Sequence, residues 1–204
     1  MRIFLLGATG QTGSILMKDA LIRGHKVTAY VRSPEKITRI NEGLNVVKGD
    51  LFSVEDMSLK MADHDVVISC LGGNDNDKTT VVTELTKTIV SSMKINQIKR
   101  IVTISSAGIH DEFSFITNWM VKLFYKHVIH DHKLAAQIIM SSDLAYTLAR
   151  PLSLTEGELT KRYRITSKGV PKGGKEISRQ DLAHFLLTVA ENNDHINKTI
   201  GLAY

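Results

Sequence analysis

The chain has 204 residues, 43% of them hydrophobic, enough to bury one sizeable core without covalent staples. A single cysteine, Cys70, excludes an intrachain disulfide and points to a reducing compartment. Lysine and arginine outnumber aspartate and glutamate by 26 to 21, but they are spread along the chain without a nucleic-acid-binding module, so nucleic acid is not an expected partner.

Met1 stands immediately before the first strand-like run, so no signal or transit peptide is expected, and no apolar run reaches bilayer-spanning length. The expected compartment is the cytoplasm. Arg2 to Leu6 has strand character and runs directly into glycines at 7, 10 and 13. A helical pattern then opens, with Ile15, Leu16, Ala20 and Leu21 on one face. Strand, glycine turn and helix form the context in which such a motif reads as a dinucleotide site. Gly7 suits the tight turn, Gly10 lets backbone N–H groups approach a pyrophosphate, and Gly13 permits close helix–strand packing. The N–H groups and the helix dipole then attract phosphate charge. A turn without a ligand is the competing explanation.

Lys26 to Val31 reads as a second strand, ending at Arg32-Ser33-Pro34. An acid at this strand end favours NAD, whereas an arginine accepts the 2′-phosphate of NADP. With Arg32 here and no acid before Glu35, NADP(H) is expected over NAD(H), and Ser33 adds a hydroxyl to the same phosphate. A short helix over about 34–41 leads to a third strand, Leu44 to Lys48. Asp50 and Leu51 then fall at a carboxyl strand end and are adenine-contact candidates, with helix capping near Ser53 as the alternative. Asp65 to Cys70 is a fourth strand, stopped by Leu71, Gly72 and Gly73.

Residues 80–96 read as helix, and Arg100 to Ile104 as a buried fifth strand ending in Ser105, Ser106, Ala107 and Gly108. Tyr163 to Thr166 reads as a local strand. Ser178 with Asp181 at the third following position reads as an N-cap for the helix carrying Leu182, Phe185, Leu186 and Val189. Lys198 to Ala203 makes a closing strand. Strands alternating with helices predict an α/β fold with a mostly parallel sheet and helices on both faces. The expectation is one domain over 1–204, with small substrate-cleft elements near 109–130 and 151–180.

The runs Gly7 to Gly13, Val31 to Pro34, Gly49-Asp50, Ile104 to Gly108, Tyr146 to Pro151 and Ile177 to Leu182 together resemble a known family. It is the atypical short-chain dehydrogenase/reductases of the NAD(P)H-binding type, in particular the biliverdin IXβ reductase/flavin reductase branch. The resemblance implies a Rossmann-like, doubly wound sheet. It places Thr9, Gly10, Gln11 and Thr12 on the pyrophosphate, Arg32 on the 2′-phosphate, and Leu71 and Gly72 along the ribose path. Ser105, Pro151 and Leu152 would flank the nicotinamide, with Ser106 and Ser153 beside them. His132 stands where that branch also has a histidine. A second histidine of the branch falls at Ser153, a departure that counts against a tetrapyrrole preference.

Typical short-chain dehydrogenases use Tyr-x-x-x-Lys, the lysine lowering the tyrosine pKa for proton transfer. Four residues beyond Tyr30, Tyr125, Tyr146 and Tyr163 stand Pro34, Ile129, Arg150 and Ser167, so the motif is absent. Ser105 and His132 remain as catalytic candidates, a hydroxyl to orient an oxygen and an imidazole to donate a proton. Turn capping and helix packing are their structural alternatives. His127, His130 and His132 do not converge on one helix face, so no metal is expected. The aromatic run 113–125 is a candidate roof for a flat acceptor or an ordinary core helix. The expected function is NADPH-dependent transfer of hydride to a flat small-molecule acceptor such as a flavin or quinone, by a monomer or homodimer. A non-catalytic NADP(H)-sensing regulator and an epimerase- or dehydratase-like enzyme are the alternatives.

Overall fold

The computed structural model describes residues 1–38, 42–72, 80–106 and 115–204, and the side chains of all of these except 115–126. The first half alternates strictly: β1 (Arg2–Leu6), α1 (Gln11–Ile22), β2 (Lys26–Val31), β3 (Leu44–Lys48), α2 (Val54–Met61), β4 (Val66–Ser69), α3 (Val81–Ile95) and β5 (Arg100–Ile104). Then follow α4 (Phe115–Met140), β6 (Ala145–Pro151), β7 (Ser153–Thr155), β8 (Arg164–Thr166), β9 (Glu176–Ser178), α5 (Arg179–Asn192) and β10 (Lys198–Ala203).

The main sheet runs β3-β2-β1-β4-β5-β6-β10-β8, parallel except where β8 pairs antiparallel with β10. Strand order therefore reverses between β1 and β4, as in a doubly wound dinucleotide-binding sheet. The inner strands are apolar almost without interruption because helices cover both faces. On one face Ile3, Leu5 and Ile68 pack against Leu16 and Ala20 of α1 and Leu182 and Leu186 of α5. On the other, Phe4, Leu6 and Val67 meet Met57 of α2, Leu85 and Ile89 of α3, and Ile139 of α4.

At the edge away from the glycine turn, buried Arg100 ties α5 to the sheet. Its guanidinium donates to the carbonyl oxygens of Ala145, Val189 and Asp194 and to Thr147 Oγ1. A cation at those helix-end carbonyls opposes the negative end of the α5 dipole.

Two details depart from the sequence-based expectation. The helix expected over 34–41 is a single 3-10 turn, Pro34–Lys36, followed by extended Ile37, while 39–41 lie outside the described residues. Proline starts that turn, and Ile37 ends it by adopting an extended backbone (φ −103°, ψ 99°) while its side chain packs against the core. The strand at Tyr163 is not local: Arg164–Thr166 joins the main sheet at its edge. The Tyr146 to Pro151 motif lies on β6, between β5 and β10.

Candidate functional site

The parallel register brings the sequence-predicted residues to one edge of the sheet. Asp50, Arg32, Gly7, Leu71, Ser105 and Leu152 follow the carboxyl ends of β3, β2, β1, β4, β5 and β6, in that spatial order. From β2 to β6 is four strand spacings, about 19 Å at roughly 4.8 Å each. A crevice outside these strand ends, at the reversal between β1 and β4, is where open α/β sheets bind ligands.

Gly7 has φ +79°, and a Cβ there would lie 2.8 Å from the Cys70 carbonyl, so the end of β4 demands a glycine. At Gly13 a Cβ would collide with the carbonyl of Gly7, because α1 packs directly on the turn. Gly10 is different: its backbone is extended, and a Cβ would meet only Gly7 O, at 3.2 Å. Thr9, Gly10 and Gln11 form an exposed lip, while Thr12 and Gly13 are buried. Among the described residues no side chain caps α1, and no acid stands in its first turn. By contrast Ser53 caps α2 by accepting from Asp56 N, and Ser178 caps α5 by accepting from Asp181 N. The glycine lip and bare helix start thus suit an anionic group drawn up to the backbone.

Arg32 is exposed beyond β2 and has no ion-pair partner among the described residues, and Ser33 beside it is half-buried. Asp50 is exposed, with Oδ1 accepting from Phe52 N at 2.9 Å, whereas Leu51 turns into the core. The polarity here includes the capping expected as the alternative, since Ser53 and Asp56 open α2. Tyr30 OH donates to Asp56 Oδ2 at 2.6 Å and lies 2.9 Å from Asp50 O, and its ring fills the space a side chain at Gly49 would need.

Ser105 and His132 are both buried and line one cavity of about 20 Å³ with Leu71, Thr103 and Ala136, room for about one water molecule. Burial lowers the His132 pKa, with the Asp131 carboxylate opposing, so this imidazole is neutral at neutral pH. Asp131 itself caps α3: its carboxylate accepts from Val82 N and Thr83 N, each at 2.9 Å. That cap fixes α4 against α3 and so sets where His132 stands. Leu71 is half-buried, and a Cβ at Gly72 would meet nothing within 4 Å. Pro151 is buried at the end of β6, Leu152 half-buried and Ser153 exposed at the start of β7. Ser106 is half-buried. Gly73, Gly108 and the side chains of the aromatic run 113–125 lie outside the described residues.

Among the described residues no tyrosine shares the cavity with Ser105 and His132. Tyr163 pairs with His184 Nδ1 at 2.9 Å, Tyr204 donates to Asp181 Oδ2, and Tyr146 sits near the amino end of β6, the opposite edge of the sheet. Among the described residues no group of His, Cys, Asp or Glu is placed to hold a metal ion, and no helix is long and apolar enough to cross a membrane.

With this geometry in view, the sequence profile of the family described as NAD(P)H-binding matches residues 7–193. The chain belongs to the NAD(P)H-binding family. This NAD(P)H-binding chain is 24% identical over 209 residues to the uncharacterized protein YwnB of Bacillus subtilis, covering 97% of itself and 96% of YwnB. It is 25% identical to the photosystem II assembly factor Ycf39 of Synechocystis, covering 98% of itself but 61% of Ycf39, so it spans about three fifths of that relative. Among solved structures it is similar to a short-chain dehydrogenase/reductase from Veillonella parvula in complex with NADP. The TM-score is 0.84 at 20% identity, over 100% of this chain and 94% of the other, a likeness of fold. The chain is also 26% identical over 211 residues to the uncharacterized sugar epimerase YhfK of Bacillus subtilis, covering 99% of itself and 94% of YhfK.

Sequence reasoning missed two positioning acids and a rim pair. Asp131 caps α3 through Val82, 49 residues earlier, a pairing that no local pattern carries. Asp181 was legible as part of a cap, but its carboxylate also accepts from Thr160 N, Thr160 Oγ1, Lys161 N and Tyr204 OH. Burial alone would raise its pKa; those hydrogen bonds outweigh burial and hold it below the usual carboxylate range. It thereby pins the 160–161 loop to the first turn of α5. The rim pair, Glu156 and Arg179, lies next to Gln11.

Proposed function

We propose that this protein is an NADPH-preferring oxidoreductase that passes hydride to a flat, readily reduced acceptor such as a flavin or quinone. The observation that carries the reading is the glycine lip of α1 standing one strand away from exposed Arg32, which has no ion-pair partner among the described residues. Thr9 to Thr12 bind the diphosphate through their N–H groups, and Arg32 with Ser33 binds the 2′-phosphate. Asp50 and the backbone of Leu51 lie toward the adenine, and Leu71 and Gly72 along the ribose path. Pro151, Leu152 and Ser153 border the nicotinamide, with Ser105 and Ser106 across from them. The single Rossmann domain covers 1–204, with the cleft completed by 151–180.

When bound, the nicotinamide supplies hydride. Ser105 orients the carboxamide or a substrate oxygen with its hydroxyl. His132, held neutral by burial, serves as a hydrogen-bonding group rather than a cationic acid. Flavins and quinones suit such a site because, once reduced, they take protons from water. The missing Tyr-x-x-x-Lys motif and the lack of a described tyrosine beside Ser105 disfavour the usual alcohol–ketone route and an epimerase route. A second reading, an NADP(H)-sensing regulator, is favoured by one relative, Ycf39, being named for assembly rather than catalysis. NADPH oxidation by purified protein against flavins, quinones and aldehydes separates the two. Turnover with a flavin or quinone is expected, and cofactor binding without turnover on any acceptor would replace the enzyme by the sensor.

A further inference from the structure

The carboxylate of Glu156 bridges two helix starts at the rim of the glycine turn. Its Oε1 accepts from Gln11 Nε2 at 3.5 Å and pairs with Arg179 Nη1 at 3.2 Å. Gln11 opens α1 and Arg179 opens α5. The ion pair is lopsided: the Glu156 side chain is 78% exposed and that of Arg179 only 19%. An acid from a distant loop is thus held beside the positive end of a helix that has no cap of its own. An exposed anion, a largely buried cation and the first residue of α1 meet at one oxygen.

We propose that Glu156 is a displaceable counter-ion, and that Arg179 is a further cofactor-binding residue that contacts the diphosphate once Glu156 has moved aside. The inference rests on the cofactor reading above and adds a residue to that site. A diphosphate on the first turn of α1 brings negative charge against Glu156. An exposed side chain in a surface ion pair is weakly held and swings into solvent. Arg179, packed along most of its length, stays in place and exchanges a carboxylate oxygen for a phosphate oxygen, a match for its planar donor fork. The diphosphate is common to NADP and NAD, so Arg179 contributes affinity without selecting between them, which sets it apart from Arg32.

Calorimetric titration of the intact chain with NADP+, NAD+ and 2′-AMP tests this, since 2′-AMP carries the 2′-phosphate but no diphosphate. Arg179→Gln should weaken NADP+ and NAD+ alike, by about 10-fold or more, and leave 2′-AMP unchanged. Glu156→Gln, an exposed change that spares the fold, should tighten both dinucleotides, by about 3-fold at low salt, and the gain should fade as salt screens the rim. Thermal melts of each variant without ligand control for folding. Loss of NADP+ affinity alone in Arg179→Gln would reassign Arg179 to the 2′-phosphate and overturn the inference. Wild-type affinities in both variants would also overturn it, with the cofactor reading intact. Failure of the wild-type protein to bind either dinucleotide would bring down the cofactor reading itself.

Discussion

Replacing Gly13 by alanine would drive a methyl carbon into the carbonyl of Gly7, with the carbonyl carbon at 2.7 Å and Ala8 Cα at 3.2 Å. All of these are backbone atoms at the end of β1 that cannot rotate away, so α1 must retreat from the sheet. Overpacking of that kind costs about 3 kcal/mol, the upper part of its usual range. Alanine returns about 1 kcal/mol of helix propensity, leaving a net loss of about 2 kcal/mol. Gly10→Ala places its methyl 3.2 Å from Gly7 O and near nothing else, in an extended backbone that alanine adopts freely. The loss there is a poorer N-cap, about 1 kcal/mol or less. Binding should respond in the opposite order. A methyl at Gly10 stands where a diphosphate would meet the N–H groups, so NADPH affinity should fall about 10-fold or more through lost charge-assisted hydrogen bonds. Folded Gly13→Ala should keep most of its affinity. Urea unfolding with linear extrapolation reads the stabilities, and calorimetric titration reads the affinities. Wild-type NADPH affinity in Gly10→Ala would refute the assignment of Gly10 to the ligand, as would a stability loss matching that of Gly13→Ala.

Arg32→Ala should weaken NADPH by about 10- to 150-fold, the worth of a hydrogen-bonded phosphate, and leave NADH nearly unchanged in the same titration; equal losses for both would remove Arg32 as the selector. His132→Ala should leave kcat with a flavin or quinone largely intact, whereas a loss of several hundredfold with cofactor binding preserved would make His132 a general acid. Burial keeps the His132 pKa below the ordinary histidine value, so the unfolded chain binds the extra proton first, and stability from this group is lost as pH falls. Denaturation between about pH 7 and pH 5 should therefore show a shallower decline in His132→Gln than in wild type. Asp181→Asn should cost about 2–3 kcal/mol in urea unfolding, because it turns an amide donor toward the Thr160, Lys161 and Tyr204 donors.

The alternation of strand and helix, the glycine turn and Arg32 at the next strand end were legible in the sequence because each rests on local chemistry. A strand needs apolar runs, a tight turn needs Gly7, and a cap needs Ser178 with Asp181 three residues on. Local pattern also misled: Pro34 starts a turn, but Ile37 turns extended to pack against the core, so the turn ends at Lys36. What the tertiary structure decided is the meaning of residues whose partners are remote. The three glycines look alike in the sequence, yet only packing separates Gly7, held against Cys70, and Gly13, held against Gly7, from Gly10, which the chain itself leaves nearly open. Asp131 reads as one more helix acid until α3 is laid against α4, and Glu156 and Arg179 read as solvated charges until Gln11 is brought beside them from 145 residues away. A hydrogen bond or ion pair acts over a few ångströms of space and leaves no trace in sequence separation, so only the assembled sheet edge could bring these groups together.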